Sequence, residues 1–313
     1  MKSLTDRALL RKARTACKRA NKVLYLLTYL FPKEKRAPTL FLYYYFRGID
    51  DEIDKKGLTE TSRMKTINYW RKRMEGLFEG KLPNDMNDKD RALYNFIQYD
   101  PKMAEGIKPQ IGNIFDIMEF DSKNRNKLVS YEDLIHYCYL TGGAPFIIAL
   151  SLLDQRVDET TKENIAQTLG VGIQLAHILR DFKEDLRLKD AKITTTETVK
   201  FNLLGSNLKN VETWRQFAIQ RVEEAAKFLD DGRRYIKEIP SNTLKFSLAL
   251  WRWKYLSILK KIQLRDYDLM SNYKKTKPRE LFASLSILVK ELSYVVVNIF
   301  KPRRASHRPF FVK

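Results

Sequence analysis

Cysteine is nearly missing from this chain. Cys17 and Cys138 are all it has in 313 residues, which argues against a disulfide framework and for a reducing compartment. Both fall in helical-looking segments and read as small core residues, with no metal or catalytic role assigned. Glycine and proline are sparse too, at 12 and 10 residues, and no stretch rich in Pro, Gly or Ser interrupts the chain as a linker. That composition disfavours a turn-rich β fold, so the expectation is a single all-α domain. No Gly-x-Gly-x-x-Gly stretch suggests a Rossmann nucleotide site. Zinc-ligand spacing, an aromatic RNA-binding signature and a basic zipper region are all lacking, so no nucleic acid partner is expected.

Acid is the other scarcity: 38 Asp and Glu stand against 58 Lys and Arg, a formal net charge of +20. Such an excess calls for an anionic surface or ligand, and anionic membranes and diphosphates both meet that need. A generally basic proteome is the plain alternative. Hydrophobic residues at 44% and aromatics at 12% are ample for a large core.

The few acids are not scattered evenly. Asp50 and Asp54 follow the run Leu40-Phe41-Leu42-Tyr43-Tyr44-Tyr45-Phe46, and Asp181 and Asp185 follow the apolar stretch 169–179. Read as helix, each pair sits at i and i+4 on one face, where like charges repel by a few tenths of a kcal/mol, roughly. Carboxylates that close to buried positions are expensive unless paired or metal-bound. Arg47 and Arg180 can offset part of the repulsion. Magnesium does more, because it takes oxygen ligands and is held by one or two carboxylates together with substrate phosphates. The plain alternative for either motif alone is a solvated helix face.

The pattern Tyr45-Phe46-Arg47-x-x-Asp50-Asp51-x-x-Asp54, followed at long range by Gln174-Leu175-x-x-Ile178-Leu179-Arg180-Asp181-x-x-Glu184-Asp185, resembles the squalene/phytoene synthase family. The likeness runs from about Asn21 to about Asp268. It implies an all-α isoprenoid-synthase bundle around a central cavity, with two acidic helices facing each other across it. The implied reaction is head-to-head condensation of two prenyl diphosphates (C15 or C20) through a cyclopropylcarbinyl diphosphate. Asp50, Asp54, Asp181, Asp185, Arg47 and Arg180 would be its catalytic residues, with magnesium or manganese as cofactor. NADPH would be needed only for a reduced product. A single-diphosphate cyclase, a synthase stopping at the cyclopropyl stage, and a membrane-associated binding or assembly protein that has lost catalysis are the other readings.

The same resemblance implies substrate contacts from Asn21, Tyr43, Asp51, Tyr137, Gln174 and Tyr255. It also exposes departures. Asn21 and Leu24 stand where the family usually has a Ser and a Phe, and His177 stands where it has a metal-binding Asn. His177, Asp181 and Asp185 share one face at i, i+4 and i+8. Imidazole suits zinc, copper, iron or nickel better than magnesium. His177 therefore binds a softer ion such as manganese, hydrogen-bonds the diphosphate, marks a site with fewer metals, or is structural. After the second motif the family's basic, aromatic flap is replaced by residues 188–196, in which Lys189 and Lys192 could still cover a diphosphate.

Elsewhere the apolar spacing predicts helices over 61–78, 107–120 and 244–264, with a polar loop over 80–90. Ile111, Ile114, Phe115 and Met118 mark the buried stripe of the second, as core or as prenyl cavity. Gly142, Gly143 and Pro145 are expected to break or kink the helix over 131–153. The basic residues of 1–22 and the apolar run 23–31 mimic a signal peptide. The sequence Pro32-Lys33-Glu34-Lys35-Arg36 stands where a small-residue cleavage site belongs, and the run is short of the ~20 residues a span needs. It reads as a buried helix, and the protein as cytoplasmic. Residues 281–300 are long enough to span a bilayer, but Lys290 and Glu291 at its centre would each cost about 2.5–3.5 kcal/mol. An interfacial helix is expected instead, followed by a basic tail (301–313) with Lys301, Arg303, Arg304, Arg308 and Lys313. Each such charge draws anionic lipid by roughly 1 kcal/mol, making the protein peripherally membrane-associated.

Overall fold

The computed structural model describes residues 6–124, 127–188, 191–203, 211–271, 273 and 276–299. Lys189 and the tail 301–313 lie outside the described residues. The all-α expectation is borne out. Among the described residues the extended backbone pairs only at one isolated parallel bridge, Val129 with Thr194.

The described part of Met1–Lys123, with Ile148–Gln155, forms one compact unit. Asp6 caps the first helix, α1 (Arg7–Ala20), and Leu9, Ala13 and Cys17 bury one face at every fourth position. Asn21 ends α1 and caps α2 (Lys22–Leu27), its Oδ1 accepting from the Leu24 amide at 3.0 Å. A 3₁₀ turn, Thr28–Leu30, follows. This corrects the expected buried helix over 23–31. Among the side chains described there, Leu27, Thr28 and Phe31 are buried, while Leu26, Tyr29 and Leu30 are exposed. A helix this short turns one side to the core, and the far side is covered in part by Arg36, whose guanidinium lies 5.8 Å from the Tyr29 ring centre.

Then come α3 (Lys33–Ile53), α4 (Glu60–Phe78), α5 (Asp88–Tyr99), α6 (Pro101–Gly106) and α7 (Lys108–Asn124). The polar loop ends three residues earlier than expected, because Asn87 and Asp90 form a capping box that starts α5 at Asp88. Helix α3 packs against α1, α4 and α5. Its Tyr45 is fully buried, donates to the Trp70 carbonyl at 3.3 Å and meets Phe115 of α7 edge-on at 6.5 Å. The stripe of α7 is Ile111, Phe115, Ile117 and Met118; Ile114 is only half-buried.

The second unit comprises the described residues of Asn124–Ile147 and Arg156–Lys313. It holds α8 (Tyr131–Cys138), a π turn (Tyr139–Gly143), the start of α9 (Ala144–Leu153), α10 (Glu159–Ile165) and a second π turn (Ala166–Gly170). α11 (Val171–Arg187), α12 (Thr195–Lys200), α13 (Val211–Ile236), α14 (Asn242–Leu264) and α15 (Pro278–Ile299) complete it. The expected kink near Gly142 is a π turn, which keeps the chain helical while adding a residue to one turn.

Its glycines are there for contact. A Cβ on Gly142 would lie 2.1 Å from the Gly170 carbonyl oxygen, and one on Gly170 would lie 2.4 Å from the Gly143 Cα. The two π turns therefore cross backbone to backbone, which fixes the start of α11. Buried ion pairs tie the outer helices down. Arg221 of α13 holds Glu197 of α12, and Arg252 of α14 holds Glu291 of α15. Thr194, bridged to Val129, caps α12 with Glu197.

Helix α15 is long and apolar enough to cross a membrane by length and composition, yet both of its buried carboxylates, Glu280 and Glu291, are paired with arginines of the bundle. The opposite side, with Phe282, Leu285 and Val289, is exposed.

Gly142→Ala should cost about 3 kcal/mol by forcing backbone apart. Gly112→Ala, where an added methyl meets nothing, should gain about 0.5–1 kcal/mol. Urea unfolding of the two variants checks the contrast.

Candidate active site

Two half-sites are described, one in each unit. In the first, the last two turns of α3 carry Arg47, Asp50 and Asp51, and Asp54 caps the helix, its amide bonding the Asp50 carbonyl at 2.9 Å. Helical rotation sorts the acids. Glu52 turns away and is held by Trp70 Nε1 at 2.7 Å and Lys89 Nζ at 2.8 Å, a structural contact. Arg47 reaches Asp50 at 3.1 Å and also pairs with Asp51.

One guanidinium does not balance this cluster. Burial pushes the Asp50 carboxyl up to about 6, with Asp54 adding to the rise and Arg47 opposing it. Asp51 and Asp121 add smaller pushes. Asp121, on α7, was missed by the sequence reading. Extending the stripe Ile114, Met118 by three residues would have found it. Tyr43 stands one turn before Arg47, and burial raises its phenol to about 12, so it is a neutral donor.

In the second half-site, α11 presents His177, Arg180, Asp181 and Asp185 along its outer side, while Gln174, Ile178, Leu179 and Phe182 are buried. Arg180 grips Asp181 with both Nε (2.8 Å) and Nη2 (2.6 Å). From α14, Tyr255 places its hydroxyl on His177 Nε2, with ring centres 4.8 Å apart. Burial pulls the His177 imidazole down to about 3, and the charges of Arg180 and Lys254 pull the same way. His177 is thus neutral at ordinary pH, with Nε2 engaged, which leaves Nδ1 as the ring atom open to a ligand.

Lys254, also missed, lies beside this pair with its Nζ 3.3 Å from the Tyr255 oxygen. A lysine enclosed by Trp251, Trp253 and Tyr255 in an apolar stretch was the available signal. Tyr137 is buried, and Lys192 lies across its ring at 5.3 Å. Lys192 is itself buried. In unit one Asn21 spends Oδ1 on its cap, so a phosphate contact would fall to its Nδ2.

The donor set tests the fit of a metal. The first half-site offers only carboxylate oxygen, the ligand type magnesium takes. Among the described residues no three Asp, Glu, His or Cys side chains form a ready-made cage. Each acidic pair instead fits an open arrangement that substrate phosphates would complete, and the elevated Asp50 carboxyl marks negative charge in want of a cation.

These folds and motifs define an all-α synthase-like protein. A family model described as squalene/phytoene synthase matches residues 17–281, and the chain belongs to that family. It is 28% identical over 261 residues to a 15-cis-phytoene synthase of Synechococcus elongatus, covering 79% of this chain and 81% of that one. It is 26% identical over 260 residues to the chloroplastic phytoene synthase 2 of Oryza sativa, covering 80% and 63%. The chain spans about three fifths of the length of the first curated relatives it matches. Among solved structures, a dehydrosqualene synthase aligns with a TM-score of 0.72 at 21% identity, covering 93% of this chain and 98% of that one. A squalene synthase from Alicyclobacillus acidocaldarius gives 0.70 at 18%, covering 84% and 95%. These likenesses establish the fold.

A carboxyl raised in the folded state binds its proton more tightly there, so its contribution to stability is lost as pH rises from about 4 to about 6. Asp50→Asn should remove that penalty. Because the side chain is only half-buried, solvent screening reduces the gain to about 1 kcal/mol at pH 7.5. Magnesium with pyrophosphate should raise the melting temperature of the wild type and not of the variant; differential scanning fluorimetry reads both.

Proposed function

We propose that this chain condenses two C15 or C20 prenyl diphosphates head to head, through a cyclopropylcarbinyl diphosphate, to a squalene- or phytoene-type product. The observation that carries the reading is the repeated device of an arginine beside four-spaced carboxylates, on α3 and again on α11, in a chain of the squalene/phytoene synthase family.

Asp50 and Asp54 on α3, and Asp181 and Asp185 on α11, would hold magnesium or manganese. The bound ion would supply Lewis-acid stabilisation of the departing diphosphate. Arg47 and Arg180 are free to exchange carboxylate for phosphate oxygens, adding charge-assisted hydrogen bonds as the leaving group gains charge. The C–O bond of one substrate breaks, and its electron pair leaves with the diphosphate. The double bond of the second substrate attacks the allylic cation, and loss of a proton closes the cyclopropane. A second ionisation and rearrangement follow, and the resulting cation is quenched by loss of a proton, or by hydride from NADPH where the product is reduced. Buried aromatic and aliphatic side chains keep water from the cations. Tyr137, in the buried wall beside the π turn, is assigned to that shielding.

The test is incubation with C15 and then C20 prenyl diphosphate, with magnesium or manganese and with or without NADPH, followed by mass spectrometry of the hydrocarbon extract. A C30 or C40 product is expected, and Asp50→Asn or Asp181→Asn should each cost about two to three orders of magnitude in rate. A product from one diphosphate alone would overturn the head-to-head reading in favour of a cyclase, and absence of turnover would favour a binding protein.

A hydrocarbon product suits a membrane surface, and we propose peripheral association through the exposed side of α15, where Phe282, Leu285 and Val289 stand in a chain of net charge +20. Phe282→Ser with Val289→Ser should reduce co-sedimentation with anionic liposomes several-fold. Unchanged binding would refute this surface.

A further inference from the structure

Helix α14 contributes a cation to the second half-site that the acidic motifs do not account for. Lys254 reaches Tyr255 Oη at 3.3 Å, and its ammonium sits 4.7 Å and 4.8 Å from the ring centres of Trp251 and Tyr255. Those two rings stack parallel at 5.9 Å, one turn apart on the same helix, so they form a shelf that holds the amine in place. Tyr255 is in turn bonded to His177 of α11. The shelf is thereby locked to the helix that carries Arg180, three residues past His177 and on the same face.

The charges around the amine do not cancel. The carboxylate acting on Lys254 is Asp181, and Asp181 is already held by both arms of Arg180. Two cations thus crowd Asp181 in a half-buried place, with Asp185 acting on Arg180 more weakly. Burial draws the Lys254 amine down to about 8, and Arg180 draws it the same way. An anion with several oxygens would answer both cations together, as a second carboxylate would in a purely structural network. The buried arginines elsewhere are treated in that second manner: Arg252 has Asp230 and Glu291, and Arg221 has Glu197 and Glu224.

We propose that Lys254 is a diphosphate-binding residue, which with Arg180 forms a cationic grip on the substrate's phosphate oxygens at the junction of α11 and α14. The inference rests on the prenyl diphosphate reading above and gives His177 its part in it. Neutral His177 anchors Tyr255, and through Tyr255 the lysine, so His177 acts as a positioning residue. The positive charge at this half-site then comes in part from the protein itself, and some diphosphate affinity persists without metal.

The probe is inorganic pyrophosphate, titrated in EDTA and followed by the fluorescence of Trp251, which lies directly under the amine. Wild-type protein should bind with a saturable fluorescence change. Lys254→Met keeps the apolar stem and should weaken binding at least tenfold, whereas Lys254→Arg should stay within about threefold of wild type. Circular dichroism confirms that the variants are folded; if Lys254→Met does not fold, Lys254→Gln takes its place with the same expectation. Failure of the wild type to bind without metal, or equal affinity in the variant that lacks the charge, would overturn the assignment. The condensation assay is separate. Hydrocarbon formation at the wild-type rate and KM by Lys254→Met would reject Lys254 alone. Metal-free pyrophosphate binding by a protein that forms no condensation product would reject the reaction and leave the grip standing.

Discussion

Like charges held close in a partly desolvated place are the constraint on which this structure turns. Asp50, Asp54, Asp51 and Asp121 crowd the end of α3, where Arg47 pairs with Asp50 and Asp51, and burial together with the neighbouring acids raises the Asp50 carboxyl. A helix end already carries partial negative charge from its free carbonyls, which makes this turn a poor place for acids on stability grounds alone. The arrangement makes physical sense when a cation and an anionic substrate arrive together. Everything nearby holds that turn rigid: Tyr45 against Trp70 and Phe115, and Glu52 between Trp70 and Lys89.

The contrast with the remaining buried charges is instructive. Arg221 with Glu197, Arg252 with Glu291 and Arg265 with Glu280 are closed pairs between neighbouring helices. Breaking such a pair strands a buried charge and costs about 3–5 kcal/mol, so these contacts set helix order and orientation. The half-sites group their charges by sign instead, with acids crowded at the end of α3 and with Arg180 and Lys254 crowded around Asp181. Stability has been given up where function needs it. The glycine crossing of the two π turns belongs with the closed contacts, because it fixes where α11 begins and therefore which residues face Tyr255.

Much of this was legible in the sequence. The 3.6-residue period identified α4, α7 and α14 but passed over α13, the longest helix described, and the four-residue spacing of Asp50/Asp54 and Asp181/Asp185 put each pair on one face. What failed to show was contact between residues distant in the chain. Asp121 and Lys254 belong to the half-sites through packing of α7 and α14, and neither lies in a motif. The His177–Tyr255 bond joins residues 78 positions apart, so spacing along α11 gave no sign that His177 Nε2 is engaged by a tyrosine of α14. The run 23–31 was misjudged because apolar content reports burial only on average, and the helix gives way to a 3₁₀ turn after Leu27.

The central claim is that paired carboxylates take up divalent cation together with diphosphate. Electron paramagnetic resonance of manganese measures this directly, since the free ion's signal falls when it binds. The account predicts that protein and pyrophosphate together remove far more signal than either does alone, and that Asp50→Asn with Asp181→Asn abolishes the excess. An equal loss of signal with and without the acidic residues would contradict it.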